Sequence, residues 1–135
     1  MKNEVITINN KEILVLNEES EKFVAIRPVS EALGVTFKSQ LERIKGDIVL
    51  SGYLKMKRMP GKNDKKYKMQ TIPFECLLPW LSKIRLDNVD ESARQELERY
   101  QRKFYDLLFE SYTQGANHNV QKLFDVFNEK DEGPS

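Results

Sequence analysis

Val5-Ile6-Thr7-Ile8-Asn9-Asn10-Lys11-Glu12-Ile13-Leu14-Val15-Leu16 reads as two β-strands joined by a tight turn. β-Branched residues suit the pleated, half-buried surface of a sheet. Asn tolerates positive φ, which a two-residue hairpin turn demands. Asn17-Glu18-Glu19-Ser20-Glu21 makes a polar second turn, and Phe23-Val24-Ala25-Ile26 a third, largely buried strand. The chain is thus predicted to open as an antiparallel β-meander.

Beyond it the apolar period changes from 2 to 3.6. Val29, Ala32 and Leu33 form a helical stripe behind Pro28, whose missing N–H costs nothing in a first turn. Gly34 closes that helix and Thr36 caps a second, with Phe37, Leu41 and Ile44 facing the core. Residues 28–46 therefore have the spacing of a helix-turn-helix. Residues 53–72 read as a β-hairpin around the turn cluster Pro60-Gly61-Lys62-Asn63-Asp64. The most apolar stretch, Pro73 to Ile84, is split by Pro79, from which a short helix is expected. Asp87-Asn88 can cap a long helix over residues 90–113. Its inner face is read as Ala93, Leu97, Tyr100, Phe104, Leu107, Leu108 and Ser111, and Tyr105, Phe109 and Tyr112 widen the apolar surface. The fold class is α+β, with an N-terminal antiparallel β-meander, a short helix pair, a basic β-hairpin and a long C-terminal helix. Residues 1–114 are read as one domain, and 115–135 as a short amphipathic helix with an acidic tail.

Composition narrows the function. Leu, Ile, Val and Phe number 38 of 135 residues, enough for a real core rather than a disordered chain. No apolar run approaches the ~20 residues of a membrane-spanning helix. Met1-Lys2-Asn3-Glu4 lacks the apolar stretch of a signal peptide, so a cytoplasmic location is expected. One cysteine, Cys76, forms no internal disulfide, and with one histidine, His118, it makes no Cys/His zinc site. His118 lies in the polar run Gly115-Ala116-Asn117-His118-Asn119 and reads as a linker residue rather than a catalytic base. Carboxylate pairs such as Glu18/Glu19 and Asp90/Glu91 read as turn solvation and helix capping. No catalytic residue, cofactor or metal is expected.

Charge is more telling in its placement than in its sum. The net charge is +1, but residues 55–68 hold seven cations against Asp64, leaving −5 on the rest. Lys57, Arg58, Lys62, Lys65, Lys66 and Lys68 on this arm, with Lys38, Gln40 and Arg43 on the 36–46 helix, are the candidate nucleic-acid contacts. Arg and Gln carry the hydrogen-bonding forks that suit base edges, and Lys contacts phosphates. The alternative for the arm is a solvated loop kept soluble by lysine. A second candidate surface is apolar. Val120, Leu123, Phe124 and Phe127 form a stripe that either packs back on the body or docks on another subunit. With Tyr105, Phe109 and Tyr112 it makes the candidate partner and self-association surface.

Phe23-Val24-Ala25-Ile26-Arg27-Pro28-Val29-Ser30-Glu31-Ala32-Leu33-Gly34-Val35, Gln40-Leu41-Glu42-Arg43-Ile44-Lys45-Gly46-Asp47-Ile48-Val49-Leu50 and Ile72-Pro73-Phe74 through Leu78-Pro79-Trp80-Leu81 occur in that order, followed by Arg99-Tyr100-Gln101-Arg102. Together they resemble the N-terminal domain of phage antirepressors, a domain related to the N-terminal module of baculovirus Bro proteins. The similarity runs over about residues 5–112. It implies a phage or prophage regulator in the bacterial cytoplasm, acting in the lysogeny–lysis switch by binding a repressor protein. It also implies duplex DNA as an alternative partner. Relatives commonly carry a further C-terminal domain, whereas about 20 residues follow the resembling region here.

Overall fold

Five antiparallel strands form one sheet in the order β1-β2-β3-β5-β4: β1 (Glu4–Ile8), β2 (Lys11–Glu18), β3 (Glu21–Ala25), β4 (Lys55–Pro60) and β5 (Lys66–Pro73). The computed structural model describes residues 3–61, 63, 65–114 and 120–128. Both meander turns contain two residues at positive φ, Asn9 and Asn10 (50° and 63°) and Glu19 and Ser20 (50° and 72°). The second turn is tighter than its polar sequence predicts. β2 runs through Glu18, which pairs with Glu21 at the head of β3.

The helix pair sits between β3 and β4 as α1 (Ile26–Leu33) and α2 (Phe37–Gly46). Ile26 starts α1 rather than ending the strand, and Pro28 falls in the first turn. Gly34 ends α1 at φ 75°, its N–H bonded to the Glu31 carbonyl. A side chain there would meet the Asp90 carboxylate as well as a left-handed backbone. Thr36 accepts the Ser39 N–H at 3.2 Å and so caps α2. After β5, α3 (Leu77–Ser82) begins two residues before Pro79, which again occupies a first turn. Asp87 and Asn88 lie in a 3-10 turn, Leu86–Asn88, and α4 (Glu91–Gln114) starts beyond them. α5 (Val120–Asn128) follows.

One face of the sheet carries the main core. Ile6 pairs with Ile13, Val15 with Val24 and Val24 with Ile72, so these side chains share that face and are buried against the helices. α4 contributes Ala93, Leu97 and Tyr100. α5 returns across β1, placing the Phe124 ring 4.5 Å from Phe74 and the Phe127 ring 4.9 Å from Tyr100. Such tilted aromatic pairs add about 0.5–1.5 kcal/mol each beyond their burial. The reverse face holds a smaller cluster, Leu16, Phe23, Ala25 and Met59. Lys55 and Lys57 reach over the Phe23 ring there, at 5.9 and 4.6 Å from its centre. Among the described residues no helix is long and apolar enough to cross a membrane.

Candidate functional site

α2 turns Phe37, Gln40, Leu41 and Ile44 inward and Lys38, Glu42, Arg43 and Lys45 outward. Gln40 is the exception to the polar face that its sequence predicts. It is buried, and its Oε1 accepts the Trp80 Nε1–H of α3 at 3.0 Å. Both groups need a partner in the core, and each supplies the other's. Gln40 therefore packs in the core and is not on the outward face where the sequence places it. Lys38 and Arg43 remain exposed, Arg43 beside a hollow of about 320 Å³ that Trp80, Leu50 and Lys83 also line.

The hairpin cations divide between the two faces of the sheet, because cross-strand partners share a face. Lys57 pairs with Met69 on the reverse face and is drawn into a 2.6 Å ion pair with Glu18. Arg58 lies directly opposite Lys68, on the same side as Ile72, and Lys66 follows two residues along. All three are exposed, as is Lys65, and among the described residues none of the four enters an ion pair. Lys62 lies outside the described residues. β4 is also an edge strand of the sheet, where lysines deter edge-to-edge pairing.

α4 carries two apolar stripes with opposite fates. Ala93, Leu97 and Tyr100 are buried, and Phe104 and Leu107 pack against that core. Tyr105, Leu108 and Phe109 are 55%, 41% and 65% exposed. Leu108, read from the sequence as part of the inner face, belongs to the outer stripe, three residues on from Tyr105. The helical spacing itself gives that signal. The side chain of Tyr112, next on this stripe, and that of Val120 lie outside the described residues.

α5 packs back on the body, one of the two fates read for its stripe, rather than presenting the expected interface. Phe124 and Phe127 are buried in this chain's own core and Leu123 is partly buried against it. Arg99 Nη1 donates to the Val126 carbonyl at 3.2 Å and ties the end of α5 to α4. The stripe packs on the body through ring contacts, Phe124 on Phe74 and Phe127 on Tyr100.

Burial and hydrogen bonding shift several titratable groups from their ordinary values. Burial pushes the Cys76 thiol up to about 11, which keeps it protonated and unreactive. Burial, and then the 2.7 Å hydrogen bond donated to Glu96, raises the Tyr100 hydroxyl further. Glu4 is held below the usual carboxylate range by hydrogen bonds from Lys22 and then Asn17.

A family model described as the P22_AR N-terminal domain matches residues 4–118. No curated protein and no solved structure matches the chain.

Proposed function

This chain belongs to the P22_AR N-terminal domain family, of phage antirepressor type, and we propose that it acts in the lysogeny–lysis switch by binding a repressor protein in the bacterial cytoplasm. It works by contact, with no bond made or broken. The observation that carries this reading is the outer stripe of α4. Tyr105, Leu108 and Phe109 stand at i, i+3 and i+4, the spacing by which a helix lays anchors into a partner's groove. Aromatic side chains are enriched among residues that dominate such interfaces. Titrating the full chain with its own phage's repressor tests it. Tyr105→Asp with Phe109→Asp is expected to weaken binding at least tenfold while leaving the thermal transition in place. Unchanged affinity overturns the stripe as the contact. Loss of a dimer boundary in sedimentation, with repressor affinity unchanged, gives the stripe to self-association instead.

Duplex DNA is the second reading, favoured by the Arg58–Lys68 pair. Like charges held opposite each other on a ladder are destabilising unless an anion lies between them. With Lys66 they form a short cationic track on one face of the hairpin. Phosphate contacts make affinity fall with salt, with a logarithmic slope of about −0.9 per phosphate. Replacing Arg58, Lys66 and Lys68 by Gln is expected to flatten that slope by about 3. Binding that ignores salt rules this reading out.

A further inference from the structure

Asp47 ends α2 and fixes the turn that follows it. Its Oδ1 accepts the N–H groups of Val49 (3.0 Å) and Leu50 (2.9 Å), and its Oδ2 takes the Lys83 ammonium at 2.8 Å. The Ser51 N–H bonds to the Asp47 carbonyl at 2.9 Å and the Gly52 N–H to the Val49 carbonyl at 3.2 Å. Leu50 is buried and anchors the turn in the core. The product is a loop tied from both ends that holds Ile48 at 95% and Val49 at 66% exposure. Scattered apolar residues on a surface need no account. Two adjacent β-branched side chains, held outward by a hydrogen-bonded frame, are a pre-ordered contact whose entropy is already spent.

We propose that the Ile48–Val49 turn is a docking knob for a folded protein whose surface offers an apolar pocket rimmed by carboxylates. The rim charge follows from the surroundings. Arg43 and Lys45 end α2 beside the knob, both exposed and, among the described residues, outside any ion pair, whereas the Lys83 charge across the turn is met by Asp47. The neighbouring hollow, lined by Trp80 and Leu50, gives the surface a projection beside a recess. A partner protein can match that relief and a flat bilayer cannot. Two aliphatic side chains and a few cations also fall short of the paired signals that stable membrane attachment needs. The inference rests on the repressor-binding reading and adds the chemistry of the repressor's own surface.

The experiment titrates the full chain with its own phage's repressor by calorimetry at low and high salt. Ile48→Asp should weaken binding roughly 30-fold or more, as loss of a buried aliphatic anchor does. Ile48→Val should stay close to the unsubstituted chain. Arg43→Gln with Lys45→Gln should weaken binding mainly at low salt. All are exposed positions, so an unchanged thermal transition is required of each variant. If Ile48→Asp binds within twofold while Tyr105→Asp with Phe109→Asp loses binding, the knob is overturned and repressor binding stands. If the unsubstituted chain does not bind the repressor, both fall. Ile48-dependent co-sedimentation with 3:1 phosphatidylcholine–phosphatidylserine vesicles overturns the knob by assigning the turn to lipid.

Discussion

β1 and β2 meet through Ile6 opposite Ile13, both buried, whereas β4 and β5 meet through Arg58 opposite Lys68, both exposed. The ladder is antiparallel in both places. At the first end the opposed pair is stabilising because helices exclude water from it. At the second the opposed pair is a liability in the isolated chain, and among the described residues no helix covers it. One end of the sheet holds the molecule together, and the other presents charge. The same division runs along α4, from buried Leu97 and Tyr100 to exposed Tyr105 and Phe109.

The buried end is where substitution should do most damage. Ile13→Ala removes a fully packed side chain and is expected to lower stability by about 2–5 kcal/mol, read from the midpoint of urea unfolding. Met56→Ala, at an exposed hairpin position, should move the midpoint by less than about 0.5 kcal/mol. Cys76 offers an independent readout. Its buried, protonated thiol should react with a thiol reagent only as fast as the core opens, and Ile13→Ala should accelerate it. Equal effects at both positions would erase the distinction between the two ends.

α2 draws the same line within ten residues. Gln40→Ala leaves the Trp80 Nε1–H without its acceptor and is expected to cost about 1–3 kcal/mol. Arg43→Ala, three residues on and exposed, should cost less than about 0.5 kcal/mol. A stable Gln40→Ala protein would return Gln40 to the outer face.

That contrast also explains what the sequence makes legible. Asn9-Asn10 announces its turn because Asn adopts positive φ readily, and the apolar periods give the meander, the helix pair and α4 in order. Glu19-Ser20 adopts the same backbone with residues that do not advertise it, so its turn is located by polarity but not sized. Gln40 is misread because its partner is 40 residues away and a polar side chain on a helix defaults to solvent. Leu123, Phe124 and Phe127 show their stripe plainly, but a stripe does not say what will cover it. Phe74 and Tyr100, distant in sequence, do. Ile48 and Val49 follow no apolar period, and it is the Asp47 cap on the turn, a local hydrogen-bond geometry, that holds them outward.

Opposite charges brace the first end as like charges load the second. Lys22 and Asn17 hydrogen-bond Glu4 and hold it below its ordinary value of 4.5. A depressed carboxylate contributes stability above that value, and the contribution drains away as pH falls through the lower folded one. Half-exposed pairs are screened, so the effect should stay under about 1 kcal/mol. Lys22→Gln should flatten the stability profile below pH 4.5 and leave its neutral portion almost level. An acid limb identical in both proteins would remove Glu4 as its source.

The smallest effect carries the opposite sign. Lys68→Gln takes away one of two cations held across the β4–β5 ladder and leaves an uncharged side chain of similar reach opposite Arg58. No buried contact is lost, because both positions are exposed. Relief of the like-charge pair should therefore raise stability by a few tenths of a kcal/mol, roughly, measured as a rise in the urea midpoint at low salt. The gain should shrink at high salt, where screening has already weakened the repulsion. The same substitution should weaken binding to any anionic partner of that face. Stability and binding would then move in opposite directions at one residue, as expected where a fold tolerates a local cost for a contact made elsewhere. A fall in the midpoint on Lys68→Gln would mean that the pair is supported within the chain, and the hairpin would then be a structural edge rather than a binding face.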